Sequence, residues 1–356
     1  MPNFDIVRES KPSKSFRVAS VMGKFDLDSN HIREHFVGNI DIPKEWSVGL
    51  IVGSSGTGKT TIARELFENA YITDFEYKEE CILDDMPKSK SVDEITSVFN
   101  SVGFSSPPSW LKPYSALSNG QKMRVDLANA LLQDKELIVF DEFTSVVDRN
   151  VAQIGSNAVQ KAVRKSGKQF IAVTCHFDVE DWLLPDWVFD TDSMTFRSYE
   201  GQKKNRPTIE FEIFQAADKS IWKVFAKHHY LSHNHHNAAH VFVGYVNGQL
   251  AAFLSVLHMP HPKSKNLKKV HRLVVLPDYQ GVGIGIKMLE SVGELYRKQK
   301  YRYTIGTSSP SLIHALKKSP KWKCKSFGRT ENHSGEMAKS LVSTSSNRLT
   351  ARFELK

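Results

Sequence analysis

The sequence has few cysteines, no long apolar run and no apolar N-terminal segment. Its three cysteines, Cys81, Cys175 and Cys324, are widely separated and form no CxxC spacing, which excludes a disulfide framework and a cysteine zinc site. The longest apolar stretch, 250–257, has eight residues, whereas a membrane-spanning helix needs ~20. The N-terminus shows no secretory signal. We therefore expect a cytoplasmic protein with no membrane association.

Charge is distributed unevenly along the 356 residues. Residues 1–200 carry 22 Lys and Arg against 30 Asp and Glu, a balance of −8, whereas residues 201–356 carry 26 against 9, a balance of +17. A strongly basic region is typical of proteins that bind nucleic acid or another anionic surface, and a merely soluble basic domain is the alternative. A polar stretch with Gly and Pro lies where the sign changes. We predict domains at 1–200 and 208–356, joined by a linker at 201–207.

Hydrophobic patterning predicts an α/β fold in both domains. In the first, apolar runs alternate with helical patterns, which indicates a largely parallel sheet. The runs are Val48–Val52, Leu137–Phe140 and Phe170–Thr174, and the helical patterns are Thr60–Tyr71 and Gln121–Leu132. In the second, two apolar runs flank Asn247-Gly248, a hairpin signal, and a strand at 270–276 and a helix at about 282–300 follow.

Residues 53–60, GSSGTGKT, follow an apolar strand and open a helix, the context of a phosphate-binding loop. Glycines let backbone N–H groups close around phosphate oxygens, and the helix N-terminus favours negative charge. We expect Lys59 to reach the β- and γ-phosphates of ATP and the Thr60 hydroxyl to ligate Mg²⁺. The predicted nucleotide-binding residues here are Gly53, Ser54, Gly56, Thr57, Gly58, Lys59, Thr60 and Thr61.

A second nucleotide-site signal is the apolar strand LIVF, which ends in Asp141 and Glu142. The first carboxylate is expected to hold Mg²⁺ together with Thr60. The second is expected to polarise the attacking water. Phosphoryl transfer needs this division of labour. These residues predict an ATPase that requires Mg²⁺.

Further motifs occur in a fixed order. Residues 117–121, LSNGQ, closely resemble the ABC-ATPase signature, 145–148 follow as the D-loop of that family does, and His176 takes the place of its switch histidine. Over about 20–195 the chain therefore resembles the ABC-type ATPases. In that family two nucleotide domains sandwich ATP, so the resemblance implies a homodimer through the ATPase domains, with Ser118 acting in trans.

One element of the ABC pattern is missing. No glutamine lies between Thr61 and Gly120, so the family's Q-loop residue has no counterpart. Together with the lack of a membrane span, this argues against a transporter subunit. Phe25 and Phe36 are candidates for stacking on adenine, and core packing is the alternative for both.

The second domain carries a glycine-rich loop within 272–285, RLVVLPDYQGVGIG. Between a strand and a helix, its glycines supply N–H groups for a pyrophosphate. With the hairpin upstream and a strand and helix downstream, about 207–325 resembles the GNAT acetyltransferases. The resemblance implies acetyl-CoA or another acyl-CoA as donor, exposed to an amine where two central strands part. The expected pyrophosphate ligands are Gln280, Gly281, Val282, Gly283, Ile284 and Gly285.

The sequence offers several candidates for the acid and base of acyl transfer. The usual tyrosine of the family's fourth helix has no counterpart, because that helix offers only His314. Six histidines within 228–240 could act as base, bind a metal or hold an anionic polymer, or belong to a solvated loop. We take His229 and Tyr230 as catalytic candidates. The His-Tyr-x-Ser segment ending at Ser232 is similar to the Mom family of DNA-modification proteins, and the two-domain fusion resembles proteins of phages and prophages.

Lysines crowd the predicted substrate side in two runs, with aromatic residues between them. The lysines are Lys263, Lys265, Lys268, Lys269, Lys317, Lys318, Lys321, Lys323 and Lys325, and the aromatic residues are Tyr301, Tyr303 and Trp322. Such runs are usually solvated faces, but two that frame one cleft predict phosphate contacts and stacking platforms.

The leading hypothesis is an ATP-hydrolysing acyltransferase that modifies a base in nucleic acid, DNA rather than RNA, with the base flipped or single-stranded. The alternatives are a nucleic-acid-binding ATPase with a non-catalytic GNAT-like module, and a protein or small-amine N-acetyltransferase with a regulatory ATPase.

Overall fold

A computed structural model describes residues 3–9, 12–27, 33–72, 75–200, 202, 208–229, 234–259, 266–329 and 349–356. Its helices are α1 (Phe16–Phe25), α2 (Lys59–Phe67), α3 (Ile82–Asp85), α4 (Val92–Ser101), α5 (Pro107–Trp110), α6 (Asn119–Leu132), α7 (Arg149–Ser166), α8 (Val179–Leu183), α9 (Trp222–Ala226), α10 (Ile284–Lys298) and α11 (Pro310–Lys318). Its strands are β1 (Asn3–Glu9), β2 (Arg33–Asn39), β3 (Val48–Val52), β4 (Leu137–Phe140), β5 (Gln169–Thr174), β6 (Trp187–Asp190), β7 (Thr195–Ser198), β8 (Phe211–Ala216), β9 (His240–Val246), β10 (Gln249–His258), β11 (Leu267–Val275), β12 (Arg302–Thr307), β13 (Trp322–Arg329) and β14 (Leu349–Leu355).

The chain forms two compact units that interleave in the sequence. The first comprises Met1–Phe75, Gln133–Asp148 and Val159–Pro207, and the second comprises Glu76–Leu132, Arg149–Ala158 and Thr208–Lys356. Both are mixed α/β, in agreement with the prediction. The domain boundaries at 200 and 208 stay a prediction. Among the described residues, no helix combines the length and apolar character needed to cross a membrane.

The first unit is built on a five-stranded sheet of order β4-β5-β3-β6-β7. Its first four strands are parallel, and β7 runs antiparallel to β6. Every residue of β3 is buried, as expected for a parallel strand covered on both faces. The carboxyl ends of β4, β5 and β3 therefore lie side by side at one edge of the sheet. Open α/β sheets bind their ligands at such an edge.

The first unit also contains a two-stranded antiparallel sheet. β1 and β2 pair from Asn3 with Asn39 to Glu9 with Arg33. Phe4 and Phe36 belong to the same buried cluster as Phe189 of the larger sheet, and the rings of Phe4 and Phe189 meet edge to face at 5.7 Å. This packing brings the small sheet against the apolar residues of the larger one.

The second unit contains a seven-stranded sheet of order β13-β14-β12-β11-β10-β9-β8. The predicted hairpin is present, since β9 and β10 are antiparallel and Asn247 and Gly248 both have positive φ, as a type I′ turn requires. The main cluster of buried residues includes Met288 of α10, Phe353 of β14 and Ile154 of α7. The first turns of α7 thus share a core with the C-terminal sheet.

Two central strands of this sheet part partway along their length. β11 and β12 are parallel, and their pairing joins Leu267–Lys269 to Arg302–Thr304. Beyond this pairing, residues of both strands line a cavity. The parting of two strands, which the GNAT resemblance predicts, is therefore present in the structure.

Candidate functional site

The predicted ATP-site residues of the first unit collect at one edge of its sheet. The phosphate-binding loop follows β3, Asp141 and Glu142 follow β4, and His176 comes two residues after β5. Because β3 and β4 both pair with β5 in parallel, these three segments leave the sheet at neighbouring carboxyl ends.

Two loop positions require glycine. Gly56 and Gly58 have φ values of 85° and 84°, a region that residues with a side chain rarely adopt. A Cβ at Gly58 would also lie 2.5 Å from the Phe36 ring. Phe36 is buried, so it packs under the loop and cannot stack on adenine. Phe25 is 64% exposed, which excludes the core-packing alternative for that residue.

The loop makes polar contacts to a residue that the motifs in the sequence did not indicate. The Ser54 amide and hydroxyl donate to the Asp192 carboxylate at 2.7 and 2.8 Å, and these two bonds lower the pKa of Asp192. The Lys59 ammonium donates to the Ser54 carbonyl at 2.5 Å. Asp192 follows β6, the other neighbour of β3, so only the order of the strands brings it to the loop.

The Asp141 carboxylate accepts hydrogen bonds from several oxygen and nitrogen donors. Thr60 Oγ1 donates to its Oδ2 at 2.8 Å, the Tyr71 hydroxyl donates to the same oxygen, and the Glu142 amide donates to Oδ1 at 2.8 Å. Burial, followed by the bond to Asp141, raises the pKa of Tyr71. Tyr71 had no sequence signal, because its contact depends on its position beside β4.

The Thr60 and Asp141 oxygens fit the predicted Mg²⁺. Mg²⁺ prefers oxygen ligands such as hydroxyls and carboxylates. Thr60 Oγ1 and Asp141 Oδ2 are joined by a hydrogen bond of 2.8 Å, so both oxygens are available at one place. Bound Mg²⁺ would neutralise charge on the phosphates of ATP.

Glu142 lies in an unusual backbone conformation. Its φ is 51°, and that of the buried Thr144 is 67°. Left-handed conformations of residues other than glycine cost about 1–3 kcal/mol and persist where surrounding structure imposes them. The Phe143 amide donates to the Val173 carbonyl at 2.9 Å, which holds this turn against β5. The exposed Glu142 thereby follows β4 at the edge of the sheet where the neighbouring strand β5 also ends.

Ser118 belongs to the second unit and immediately precedes α6. Its amide donates to the Gln121 side chain at 3.1 Å, and the Gln121 amide donates back to Ser118 Oγ at 3.4 Å. This reciprocal pair is a capping box. Gln121 is anchored in turn by donating to Ser109 Oγ at 3.0 Å. The exposed Ser118 hydroxyl therefore stands at a helix N-terminus, where backbone N–H groups favour an anion.

A cavity of about 560 Å³ lies in the second unit where β11 and β12 part. Its wall is formed by both strands, by the glycine-rich loop and by the histidine segment. A fourth part of the wall comes from residues 100–110, which lie far from the others in the sequence. Lining residues include Val270, His271, Val275, Ile305, Thr307, Gln280, Gly281, Gly283, His228, His229, Asn100, Ser105 and Trp110. Cavities of this size accommodate cofactor-sized ligands.

The predicted pyrophosphate loop reaches this cavity. Gly281 and Gly283 have φ values of 88° and 89°, and α10 starts at Ile284. Val282 lies between the glycines, and Gly285 also lines the cavity. The Gln280 side chain accepts from the Ser105 amide and donates to the Val275 carbonyl, both at 2.8 Å. Its amide group is thus committed to holding the loop.

Two members of the histidine segment also reach the cavity. His228 and His229 line it, and His229 is only 7% exposed, with its ring 5.8 Å from that of Trp222. Burial, followed by repulsion from Lys227, lowers the pKa of His228. Tyr230 and Ser232 lie outside the described residues. His314 is exposed and is not among the described residues that line the cavity.

A further histidine, His271, carried no motif in the sequence. β10 pairs Ser255 with Arg272 and Val256 with Val270, so His271 is the extra residue of a β-bulge, a device that redirects side chains near active sites. Burial, reinforced by Arg272 and His235, lowers the pKa of His271 to about 4. The ring is therefore neutral at pH 7. The strand reads LKKVHRLVV, so His271 is one of several polar residues and nothing in the sequence singled it out.

The described part of the chain offers no support for the metal alternative. His235 and His236 lie near His271, with ring centroids 5.6 and 6.4 Å away. Even so, no group of three or more His, Cys, Asp or Glu among the described residues is placed to hold a metal ion.

Several residues predicted to contact nucleic acid are not on the surface. Tyr303 is fully buried and Trp322 is 4% exposed, so the prediction that they stack on bases is wrong. Lys268 is also buried, with its ammonium 4.8 Å from the Tyr301 ring centre. These three residues are buried by packing within the unit, although the alternation of lysines and aromatic residues in the sequence predicted an exposed surface.

The remaining lysines differ in their surroundings. Lys321 pairs with Glu290 at 3.1 Å and Lys325 pairs with Glu354 at 2.9 Å. Lys269, Lys318 and Lys323 are exposed. Lys317 is exposed as well, and its ammonium lies 3.6 Å from the Phe327 ring centre. Lys263 and Lys265 lie outside the described residues.

Comparison with known proteins supports both resemblances. Residues 206–317 match the family model described as Acetyltransferase (GNAT) family. The N-terminal part is similar to ABC ATP-binding proteins. The predicted fold class, an ABC-type ATPase region followed by a GNAT-fold region, is therefore confirmed. Neither the phage origin nor the similarity to Mom is supported by these matches.

The curated relatives of the N-terminal part are transporter components. The energy-coupling factor transporter ATP-binding protein EcfA1 of Leuconostoc mesenteroides is 35% identical over 72 residues, covering 20% of this chain and 26% of that protein. An uncharacterized ABC transporter ATP-binding protein of Haemophilus influenzae is 32% identical over 136 residues, covering 30% and 55%. The chain thus spans about a quarter and about half the length of these two relatives.

Solved structures of both kinds are similar to part of the chain. A dimeric ATP-binding cassette in a post-hydrolysis state bound to ADP and Pi has a TM-score of 0.40 at 15% identity, covering 56% of this chain and 98% of that one. The IAA acetyltransferase from Bacillus cereus has a TM-score of 0.31 at 18% identity, covering 41% and 99%.

Proposed function

We propose that this protein binds and hydrolyses ATP and transfers an acyl group from acyl-CoA to an amine. The observation that carries the acyl-transfer proposal is the cavity between β11 and β12, with the glycine-rich loop and three histidines in its wall. The GNAT match over 206–317 supports an acyl-CoA, such as acetyl-CoA, as the donor. The N-terminal homology to ABC ATP-binding proteins supports ATP as the nucleotide.

The ATPase half uses residues at the edge of the first unit's sheet. Thr60 and Asp141 hold Mg²⁺, Lys59 contacts the phosphates, Glu142 orients the attacking water and His176 contacts the γ-phosphate. Ser118 of a second copy completes the site, so the active form is a homodimer through the ATPase regions.

Acyl transfer takes place in the cavity of the second unit. The acceptor amine attacks the thioester carbonyl, so a C–N bond forms as the C–S bond breaks and CoA leaves as thiolate. The proton lost by the nitrogen passes to the His229 imidazole and from there to the thiolate. His271 is the alternative base, because its ring is neutral at pH 7 and also lines the cavity.

The proposed acceptor is a base in nucleic acid, DNA rather than RNA. The balance of +17 over residues 201–356 supports a polyanionic partner, and exposed Lys269, Lys318 and Lys323 are available to contact phosphates. The burial of Tyr303 and Trp322 favours a second candidate, an amine on a protein or small molecule, because it removes two stacking platforms.

The test begins with calorimetric titration of acetyl-CoA into the full chain. It continues with radiolabelled acetyl-CoA incubated with ATP and DNA, RNA, a lysine peptide or spermidine. We expect acetyl-CoA to bind and the label to enter DNA nucleosides, identified by mass spectrometry. His229→Gln should abolish label transfer, whereas His314→Gln, a change at an exposed histidine, should not.

Two outcomes would contradict parts of this proposal. DNA binding without acetyl-CoA binding would overturn acyl transfer in favour of a non-catalytic GNAT-like module. Label found only in the peptide or in spermidine would show that the acceptor is an amine on a protein or small molecule and not a base in nucleic acid.

A further inference from the structure

Helix α6, which begins next to the signature serine, presents a buried charge to the glycine-rich loop of the second unit. Arg124 is fully buried. Its two terminal nitrogens donate to the Pro277 and Asp278 carbonyls at 2.5 and 2.7 Å, and the Asp278 carboxylate lies 3.9 Å away. A buried guanidinium is costly unless such bonds satisfy it. Its planar fork suits two carbonyls at once, which a lysine ammonium cannot match.

A second contact joins the loop to the segment between α4 and α5. The Ser105 amide donates to the Gln280 side chain at 2.8 Å. At Gly103, where φ is 85°, a Cβ would lie 2.6 Å from the Gln280 carbonyl oxygen. The two main chains therefore touch, and glycine is needed for that approach as well as for its backbone conformation.

The same segment forms part of the cavity wall. Asn100, Ser105, Pro107 and Trp110 line the cavity together with the glycine-rich loop and β11. The Trp110 ring is fixed by its Nε1, which donates to the Phe104 carbonyl at 2.7 Å. The cavity is thus bounded by residues that are more than 100 positions apart in the chain.

We propose that the helical segment 76–132 is part of the acyl-donor site. Residues 277–283 form the donor loop, which binds the CoA pyrophosphate. Arg124 is a positioning residue that holds this loop in its binding conformation. This inference rests on the proposed acyl-CoA function and deepens it. Ser118 caps this same helix, so the helix that carries Arg124 begins at the signature segment.

The first test compares CoA affinity by calorimetry for Arg124→Met, Arg124→Lys and a control, Lys122→Met. Lys122 lies in the same helix, and its ammonium packs 5.3 Å from the Tyr114 ring centre. Arg124→Met should weaken CoA binding about tenfold or more, Arg124→Lys less, and Lys122→Met less than about twofold. The Kd of a fluorescent ATP analogue should not change in any of them.

A calorimetric stoichiometry separates a weakened site from a misfolded fraction, since misfolding lowers the number of sites without raising Kd. The second test avoids Arg124 and compares Gly103→Ala with Gly167→Ala. Both glycines have positive φ, 85° and 75°, but a Cβ at Gly167 meets nothing within 4 Å. Both changes carry similar backbone strain, and Gly103→Ala alone should weaken CoA binding, by about tenfold or more.

The outcomes distinguish the inference from the function on which it rests. If the unaltered chain does not bind CoA, the proposed acyltransferase function fails and this inference fails with it. If the unaltered chain binds CoA and both Arg124→Met and Gly103→Ala bind it equally well, the function stands and the inference is overturned.

Discussion

Protonation of His271 provides a direct test of the cavity's structure. The pKa of this imidazole falls from 6.5 to about 4, first because of burial and then because of Arg272, His235 and the neighbouring His236 and His229. Since the folded-state pKa lies below the unfolded value, the unfolded chain binds more protons between pH 6.5 and 4. Stability is therefore fully present above about pH 6.5 and decreases as the pH falls towards 4.

The size of the decrease follows from the shift in pKa. Lowering the pKa from 6.5 to about 4 corresponds to about 3 kcal/mol, at about 1.36 kcal/mol for each pH unit. The ring is only partly buried, so solvent screening reduces the expected value to about 1–2 kcal/mol. The decrease should appear in denaturant unfolding measured from pH 7.5 to 4.5, and His271→Gln should remove that part of it.

NMR titration of ¹³C-labelled histidine rings supplies the direct measurement. The resonance that disappears in His271→Gln should titrate near pH 4. If the His271 ring titrates near 6.5, or if His271→Gln has the same pH dependence of stability as the unaltered chain, the burial argument for this cavity is refuted.

Three further predictions concern the nucleotide site and the basic surface. Glu142→Gln should retain ATP and lower its turnover by about 10²–10⁴-fold, measured by phosphate release. Tyr71→Phe removes a hydrogen bond to the Asp141 oxygen expected to hold Mg²⁺, so the Mg²⁺ concentration for half-maximal ATPase should fall about fivefold. Lys269→Glu with Lys323→Glu should weaken DNA binding and reduce the slope of log K against log salt by about 0.9 for each phosphate that is no longer neutralised.

Each of these changes has a matched control in the same unit. Glu136→Gln alters an exposed carboxylate ahead of β4 and should leave ATP turnover unchanged. Tyr199→Phe removes a hydroxyl bound to Glu180 and should not affect the Mg²⁺ requirement. Lys321→Met alters a lysine paired with Glu290 and should barely change the salt slope. Undiminished turnover in Glu142→Gln, or equal effects of a variant and its control, would contradict the assigned roles.

The proposed nucleotide site rests largely on signals that are local in the sequence. The loop 53–60, the acidic pair after β4 and the segment 117–121 are each contiguous, and each adjoins a recognisable strand or helix. The convergence of the loop and the acidic pair follows from one rule, that parallel strands end at a common edge. The contacts of Asp192 and Tyr71 were not predicted, because they depend on the order of the strands in the sheet.

The proposed acyl-donor site was only partly predictable. The loop 280–285 and the parting of two strands follow from a local pattern, but the bulge at His271 depends on the register of β10 against β11. The burial of Lys268, Tyr303 and Trp322 could not be inferred from charge patterning, because a lysine beside aromatic residues looks the same on a surface and in a core.

The amino-acid sequence alone defines the two kinds of module and their order, because phosphate-binding loops need glycines at short, fixed spacings, joined in the first module by a lysine and hydroxyl residues. The three-dimensional fold was needed to show that residues 76–132 belong to the same unit as the C-terminal sheet and supply Arg124 and Gly103 to the donor loop. The physical reason is that hydrogen bonds and close packing between segments about 150 residues apart leave no periodic or local trace in the chain.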